Sequence, residues 1–171
     1  MSITKATLAD VSALHTLVNS SYRGESSHKG WTTEAGLIDG QRIDHDSLVE
    51  QLNDPSAVIL KNTDESGNIT GCVYLQNRGD GSMYLGMLSV KPELQARGLG
   101  KQLLLAAEDY AFNWDITTIV MTVITTRTEL LNYYERRGYS KTGEVIPLII
   151  EERFGILKQP LNMYKLEKKL K

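Results

Sequence analysis

The sequence predicts an α/β fold: a mixed, mostly antiparallel central sheet of about seven strands, flanked by helices. Three observations predict it. Strand-like and helix-like runs alternate along the whole chain, which implies layered α/β packing. Two turn-rich stretches, Asp64 to Asn68 and Asn77 to Gly81, join apolar runs as hairpins, which makes the early pairing antiparallel. At the centre, Met83 to Phe112 reads as one unit of strand, glycine-rich turn and helix. No linker, repeat or low-complexity tract interrupts the chain, so residues 1–171 form a single expected domain.

The elements follow in order. Ile3 to Ala6 is a short first strand. Thr7 and Asp10 have capping-box spacing. Val11, Leu14, Leu17 and Val18 then line one face of a helix that ends near Tyr22, with Gly24 as the stop. Ser20 to Gln41 is polar and loop-like. Asp46 to Leu52 is a short helix stopped by Asn53-Asp-Pro55. Ala57 to Lys61 and Ile69 to Gln76 are the second and third strands. Met83 to Val90 is the fourth, broken by Lys91-Pro-Glu. Gly98 to Phe112 is the main helix, with Leu103, Leu104, Ala107 and Ala111 at helical spacing. Thr117 to Ile124 is β-branched throughout and reads as a buried fifth strand. Thr126 and Glu129 mark another helix start, closed by Gly138. Strands from Tyr139 and over Leu161 to Leu166 complete the sheet.

Composition narrows the function. A formal net charge of −2 gives no global field for nucleic acid or an anionic membrane surface. Cys72 is the only cysteine, so no internal disulfide can form, and the start lacks a signal-like apolar run. A cytoplasmic location is the expectation. The three histidines lie far apart without paired cysteines, so no metal site is expected.

The chemistry centres on the glycine turn. A helix N-terminus carries free N–H groups and a partial positive charge, and glycines let a ligand approach the backbone. Gly98 and Gly100, flanked by Arg97 and Lys101, therefore form a candidate phosphate or pyrophosphate site. The plainer alternative is a tight turn whose glycines serve packing. The turn lacks the Walker pattern and the three-glycine dinucleotide fingerprint. Gln95-Ala96-Arg97-Gly98-Leu99-Gly100 does resemble the acyl-CoA loop of the GNAT N-acetyltransferases, Q/R-x-x-G-x-G/A. Tyr133-Tyr-Glu-Arg-Arg-Gly-Tyr139 is similar to that superfamily's Y-E-K/R-x-G-F/Y signature, and the two motifs stand in family order around the fifth strand.

That resemblance implies the rest of the site. The fourth and fifth strands would run parallel and splay at a bulge, with Gly86 and Ser89 relaxing the strand. Leu88 and Val90 would offer backbone groups to pantetheine, and Leu88 N–H would serve the oxyanion. Residues Gln95 to Lys101 would hold the pyrophosphate of acetyl-CoA as acyl donor. Tyr134 would be general acid to the departing thiolate, with Tyr133 as the neighbouring alternative. Many members carry an Asn seven residues before this tyrosine; Arg127 stands there, to contact cofactor or to order the helix start with Glu129. The family's acceptor wall falls near Tyr22, Arg23, Glu25, Trp31 and Glu34. The strand lacks the carboxylate many members use as base, leaving Glu34, Glu25, Asp80 or a water chain. Cys72 sits in a core pattern, which favours direct transfer to a small amine. The protein would be a monomer or homodimer. A non-catalytic acyl-CoA-binding regulatory module is the rival reading.

Overall fold

A computed structural model describes residues 2–170. The sheet strands are β1 (Ser2–Lys5), β3 (Ala57–Thr63), β4 (Ile69–Asn77), β5 (Ser82–Val90), β6 (Thr118–Ile124), β7 (Ser140–Pro147) and β9 (Asn162–Lys169). A separate two-residue ribbon pairs β2 (Ile38–Asp39) with β8 (Ile156–Leu157). The helices are α1 (Val11–Tyr22), α2 (His45–Asn53), α3 (Leu99–Asn113) and α4 (Thr128–Glu135).

The seven-stranded sheet has the order β1-β3-β4-β5-β6-β9-β7, antiparallel except for the β5–β6 pair. The expected mixed, mostly antiparallel sheet is therefore present. The strand expected as fourth is β5, because β2 lies in the stretch read as irregular. Ile38 explains that strand: it is buried with Ile124 and Leu161, a partner set that local sequence does not reveal.

Strand alternation divides the core between the two faces. Val73 and Leu75 pack with Leu103, Leu104, Ala107 and Leu131 of α3 and α4. Cys72 packs with Leu14, Leu17 and Val18 of α1 and Leu48 of α2. The sheet is thus a layer between two helix pairs. Local signals set most boundaries. The Thr7 N–H donates to the Asp10 carboxylate at 2.8 Å, forming the capping box. Asp44 caps α2 by accepting from Ser47 N–H at 2.7 Å. The Thr126–Glu129 box does not form; a turn puts Arg127 at the N-cap of α4 instead. Gly138 closes that helix in the left-handed region, φ 93°.

Candidate active site

The cleft begins where the parallel pair ends. β5 and β6 are in register only from Ser82 to Tyr84 against Thr118 to Val120. Beyond Tyr84 they part. The cause lies on the other edge of β5, where the register with β4 slips between Cys72 and Tyr74. One extra residue is inserted there, which bends the strand and increases its twist. The left-handed residue is Met87, φ 54°, and its carbonyl accepts from Ser89 Oγ at 3.0 Å. The slip on β5 is bounded by Gly86 and Ser89, the two residues expected to relax the strand, with Met87 as the left-handed residue between them. Gly86 serves another purpose: a Cβ there would meet the Tyr84 ring at 2.7 Å.

The opening holds two lobes that meet at Tyr22, Leu88, Leu130 and Tyr134. The Tyr22 hydroxyl crosses the gap and donates to the Leu88 carbonyl. Burial, with Glu34 adding to it, pushes the Tyr22 phenol up to about 12. The Tyr134 hydroxyl has no hydrogen-bond partner among the described residues, and its side chain lines both lobes. Burial first, then neighbouring Tyr22, Tyr133 and Tyr139, holds its phenol well above the ordinary tyrosine value. It therefore stays protonated, a donor without an acceptor, at the junction.

The first lobe, about 270 Å³, runs along the glycine turn to α4. Ala96 and Gly98 are left-handed, φ 64° and 85°, and no side chain caps α3. The opening amides of this helix are thus free for an anion. Arg97 and Lys101 stand exposed beside them, without an ion-pair partner among the described residues. Gly100 has a packing role as well, since a Cβ there would lie 2.5 Å from the Tyr133 hydroxyl. The Tyr133 ring is held by Trp31, centroids 5.2 Å apart, and by the Arg137 guanidinium 3.6 Å above it. Gln95 ties this wall together. Its Oε1 accepts from Trp31 N–H at 2.8 Å, and its Nε2 donates to Thr32 Oγ1 at 2.8 Å and Val90 O at 3.0 Å.

The second lobe, about 290 Å³, lies between α1, β5, β6 and the chain after β7. Ile38, Met121, Ile124, Leu148 and Met163 give it apolar walls. Its charged lining is Arg23, Glu34, Arg42 and Arg127. Glu34 bridges two buried guanidiniums, Arg23 Nε at 3.2 Å and Arg127 at 3.6 Å. Arg23 also donates to the carbonyls of Gly40, Gln41 and Phe154 at 3.3, 3.1 and 2.8 Å.

Two lobes joined by a protonated tyrosine, one ending on uncapped helix amides, suit an anionic donor and a separate acceptor. The profile of the acetyltransferase (GNAT) family matches residues 13–139. The chain belongs to the GNAT family. A ribosomal-protein-alanine N-acetyltransferase from Brucella melitensis superposes with a TM-score of 0.73 at 17% identity, covering 99% of this chain and 100% of that one. A spermidine N-acetyltransferase chimera from Vibrio cholerae gives 0.70 at 17%, covering 98% and 94%. A Bacillus anthracis acetyltransferase solved with acetyl coenzyme A gives 0.59 at 17%, covering 72% and 68%. At these identities the likeness speaks for the fold. No curated protein is a significant sequence match.

In this GNAT chain the structure gathers most of the sequence candidates into one cleft. Leu88, Val90, Gln95, Ala96, Gly98, Gly100 and Tyr134 line the first lobe. Leu99 turns its side chain into the core, leaving its amide at the helix start. The Val90 carbonyl is already taken by Ser21 Oγ at 3.0 Å and by Gln95. Trp31, expected on the acceptor wall, lines the first lobe and not the second. Glu34 lines the second lobe, whereas Glu25 is exposed and lines neither. Arg127 turns to Glu34 and the second lobe, away from the first lobe and from Glu129. Asp80 is exposed and held by Ser82 N–H at 2.9 Å, outside both lobes. Sequence reasoning missed Arg42, which follows the loop as a lone cation with no motif around it.

Proposed function

We propose that the protein transfers the acetyl group of acetyl-CoA to a primary amine of a small molecule, directly and without an acyl-enzyme. The observation that supports it best is the junction: one unpartnered, protonated tyrosine shared by a helix-N-terminal lobe and a compact lobe of about 290 Å³. That volume favours a small acceptor over a folded partner. In this proposal the first lobe is the donor lobe and the second the acceptor lobe; the donor lobe fits the CoA group, since left-handed Ala96 and Gly98 free the amides of Leu99, Gly100 and Lys101 for its diphosphate. The thioester supplies an activated acyl group.

The chain's own residues do the rest. Amides at the α3 start, with Arg97, Lys101 and Arg136 nearby, bind phosphate charge. Trp31, Tyr133 and Gln95 wall off the tail. A backbone N–H of β5 at the bulge, Leu88 in this reading, donates to the developing oxyanion. As the amine nitrogen bonds the acyl carbon and the C–S bond breaks, Tyr134 Oη donates its proton to the leaving sulfur. The amine's proton leaves through water, because the lobe's one carboxylate, Glu34, is already shared by two arginines. Cys72 takes no part: full burial pushes its thiol up to about 12, so it is not a thiolate at neutral pH.

That engaged carboxylate is also what favours the rival, a non-catalytic acyl-CoA-binding module. Thiol release from acetyl-CoA across a broad amine panel separates them. Turnover with some amine supports transfer, and tight CoA binding without release across the panel supports the module.

A further inference from the structure

The acceptor lobe carries more positive charge than the fold can use. Three guanidiniums line it, those of Arg23, Arg42 and Arg127, against one carboxylate, Glu34. Arg23 is committed to the fold, through Nε to Glu34 and through one terminal nitrogen to three backbone carbonyls. The Arg127 side chain is only 9% exposed, yet its guanidinium's one charged partner among the described residues is Glu34 at 3.6 Å, beyond hydrogen-bond range. Arg42 makes no hydrogen bond or ion pair through its guanidinium among the described residues. It lies 5.9 Å from the centre of the Tyr22 ring, at the edge of the same cavity. Guanidiniums withdrawn from bulk water are costly unless their charge and donors are met. Planar, forked donors of this kind suit a planar or tetrahedral oxyanion.

Resting on the acetyl-transfer reading above, we propose that the acceptor amine also carries a compact oxyanion, a carboxylate or a phosphonate, held by Arg42 and Arg127. The apolar walls, Ile38, Met121 and Leu148 among them, would take an uncharged body between the two ends. A polycationic acceptor is disfavoured, because its further ammonium groups would face like charge.

The test uses matched triplets: an amino acid, its decarboxylated amine and its aminophosphonate, each with acetyl-CoA and thiol release as readout. In wild type, one of the anionic partners exceeds the plain amine roughly 10- to 100-fold in kcat/KM, mostly through KM. Which anion leads tells the carboxylate from the phosphonate. Arg42→Ala collapses that ratio toward one, and Arg42→Lys restores part of it, with circular dichroism checking the fold of both. Equal rates within each triplet, or an unchanged ratio in Arg42→Ala, overturn the inference while leaving acetyl transfer intact. Should no triplet turn over, calorimetry of N-acetyl amino acids against N-acetyl alkylamines into CoA-saturated protein decides. Anion-selective binding lost in Arg42→Ala supports the inference, and absence of selectivity overturns it. Failure to bind CoA at all removes the transfer reading and this inference together.

Discussion

The two lobes of the cleft are built in different ways. The anion-facing floor of the donor lobe comes from one continuous stretch, Val90 to Gly100, whose backbone conformation is its chemistry, while Trp31 and α4 supply its walls. The acceptor lobe is a tertiary product: Arg23 and Glu34 come from the chain after α1, Arg127 from the start of α4, and Phe154 from a loop more than a hundred residues from Arg23. The first is written in glycines and turn residues. The second exists only when distant charges meet. The acceptor lobe therefore shares its residues with the fold's own stability.

That contrast can be broken or sharpened, beginning at the junction. Tyr134→Phe removes only the hydroxyl that both lobes share. It should lower kcat roughly 10²- to 10⁴-fold and leave CoA affinity nearly unchanged. Equal rates for the two proteins would take Tyr134 out of the chemistry. On the acceptor side, Glu34→Ala leaves Arg23 buried without its carboxylate. We expect a loss of about 3 kcal/mol in urea unfolding, since a broken buried pair leaves an uncompensated charge. An unmoved midpoint would mean that the lobe is not coupled to folding.

On the donor side the effect should fall on binding. Gly100→Val puts a side chain where even a Cβ would lie 2.5 Å from the Tyr133 hydroxyl. CoA affinity should drop at least about tenfold by calorimetry, with the helical signature kept. Gly98 is the informative control: its Cβ would enter open space, but φ is 85°. A side chain there costs about 1–3 kcal/mol of backbone strain without touching Tyr133. If Gly98→Val alone lost CoA, the loop's conformation would matter more than the aromatic wall.

Tyr22→Phe should have a smaller effect, about 1 kcal/mol for the lost bond to Leu88. Its sign with pH is fixed. The folded phenol sits near 12 against an ordinary value of 10.0, so this contribution is full below pH 10 and is lost as pH rises through 12. The alkaline stability decline between pH 10 and 12 should flatten in the variant. Least affected should be Cys72→Ala, with turnover within about twofold of wild type once folded, because burial keeps the thiol protonated. Abolished turnover in the folded variant would revive an acyl-enzyme.

The contrast also marks what could be read from the chain. Sheet type, strand limits and the main helix were legible because alternation, hairpin turns and helical spacing are local patterns. Thr7 with Asp10 worked as a cap for the same reason. The donor loop was legible because it is contiguous. The bulge was legible at its two ends, Gly86 and Ser89, but not the residue that turns inside it: Met87 adopts a left-handed backbone through pairing with β4, not through its own preference. Ile38 was hidden because its strand exists only by contact with Ile156 and Leu157. Arg127 was noticed as an anomaly, but its partner Glu34 is distant in sequence. Trp31 was read as acceptor wall because its loop was known and its direction was not; Gln95 fixes that direction.

A crystal structure with bound CoA tests the central claim most directly. The diphosphate is expected over the amides of Leu99 to Lys101, the tail in the opening between β5 and β6, and the sulfur within about 3.5 Å of Tyr134 Oη. A sulfur that emerges away from Tyr134, or a diphosphate seated elsewhere than the start of α3, would contradict it.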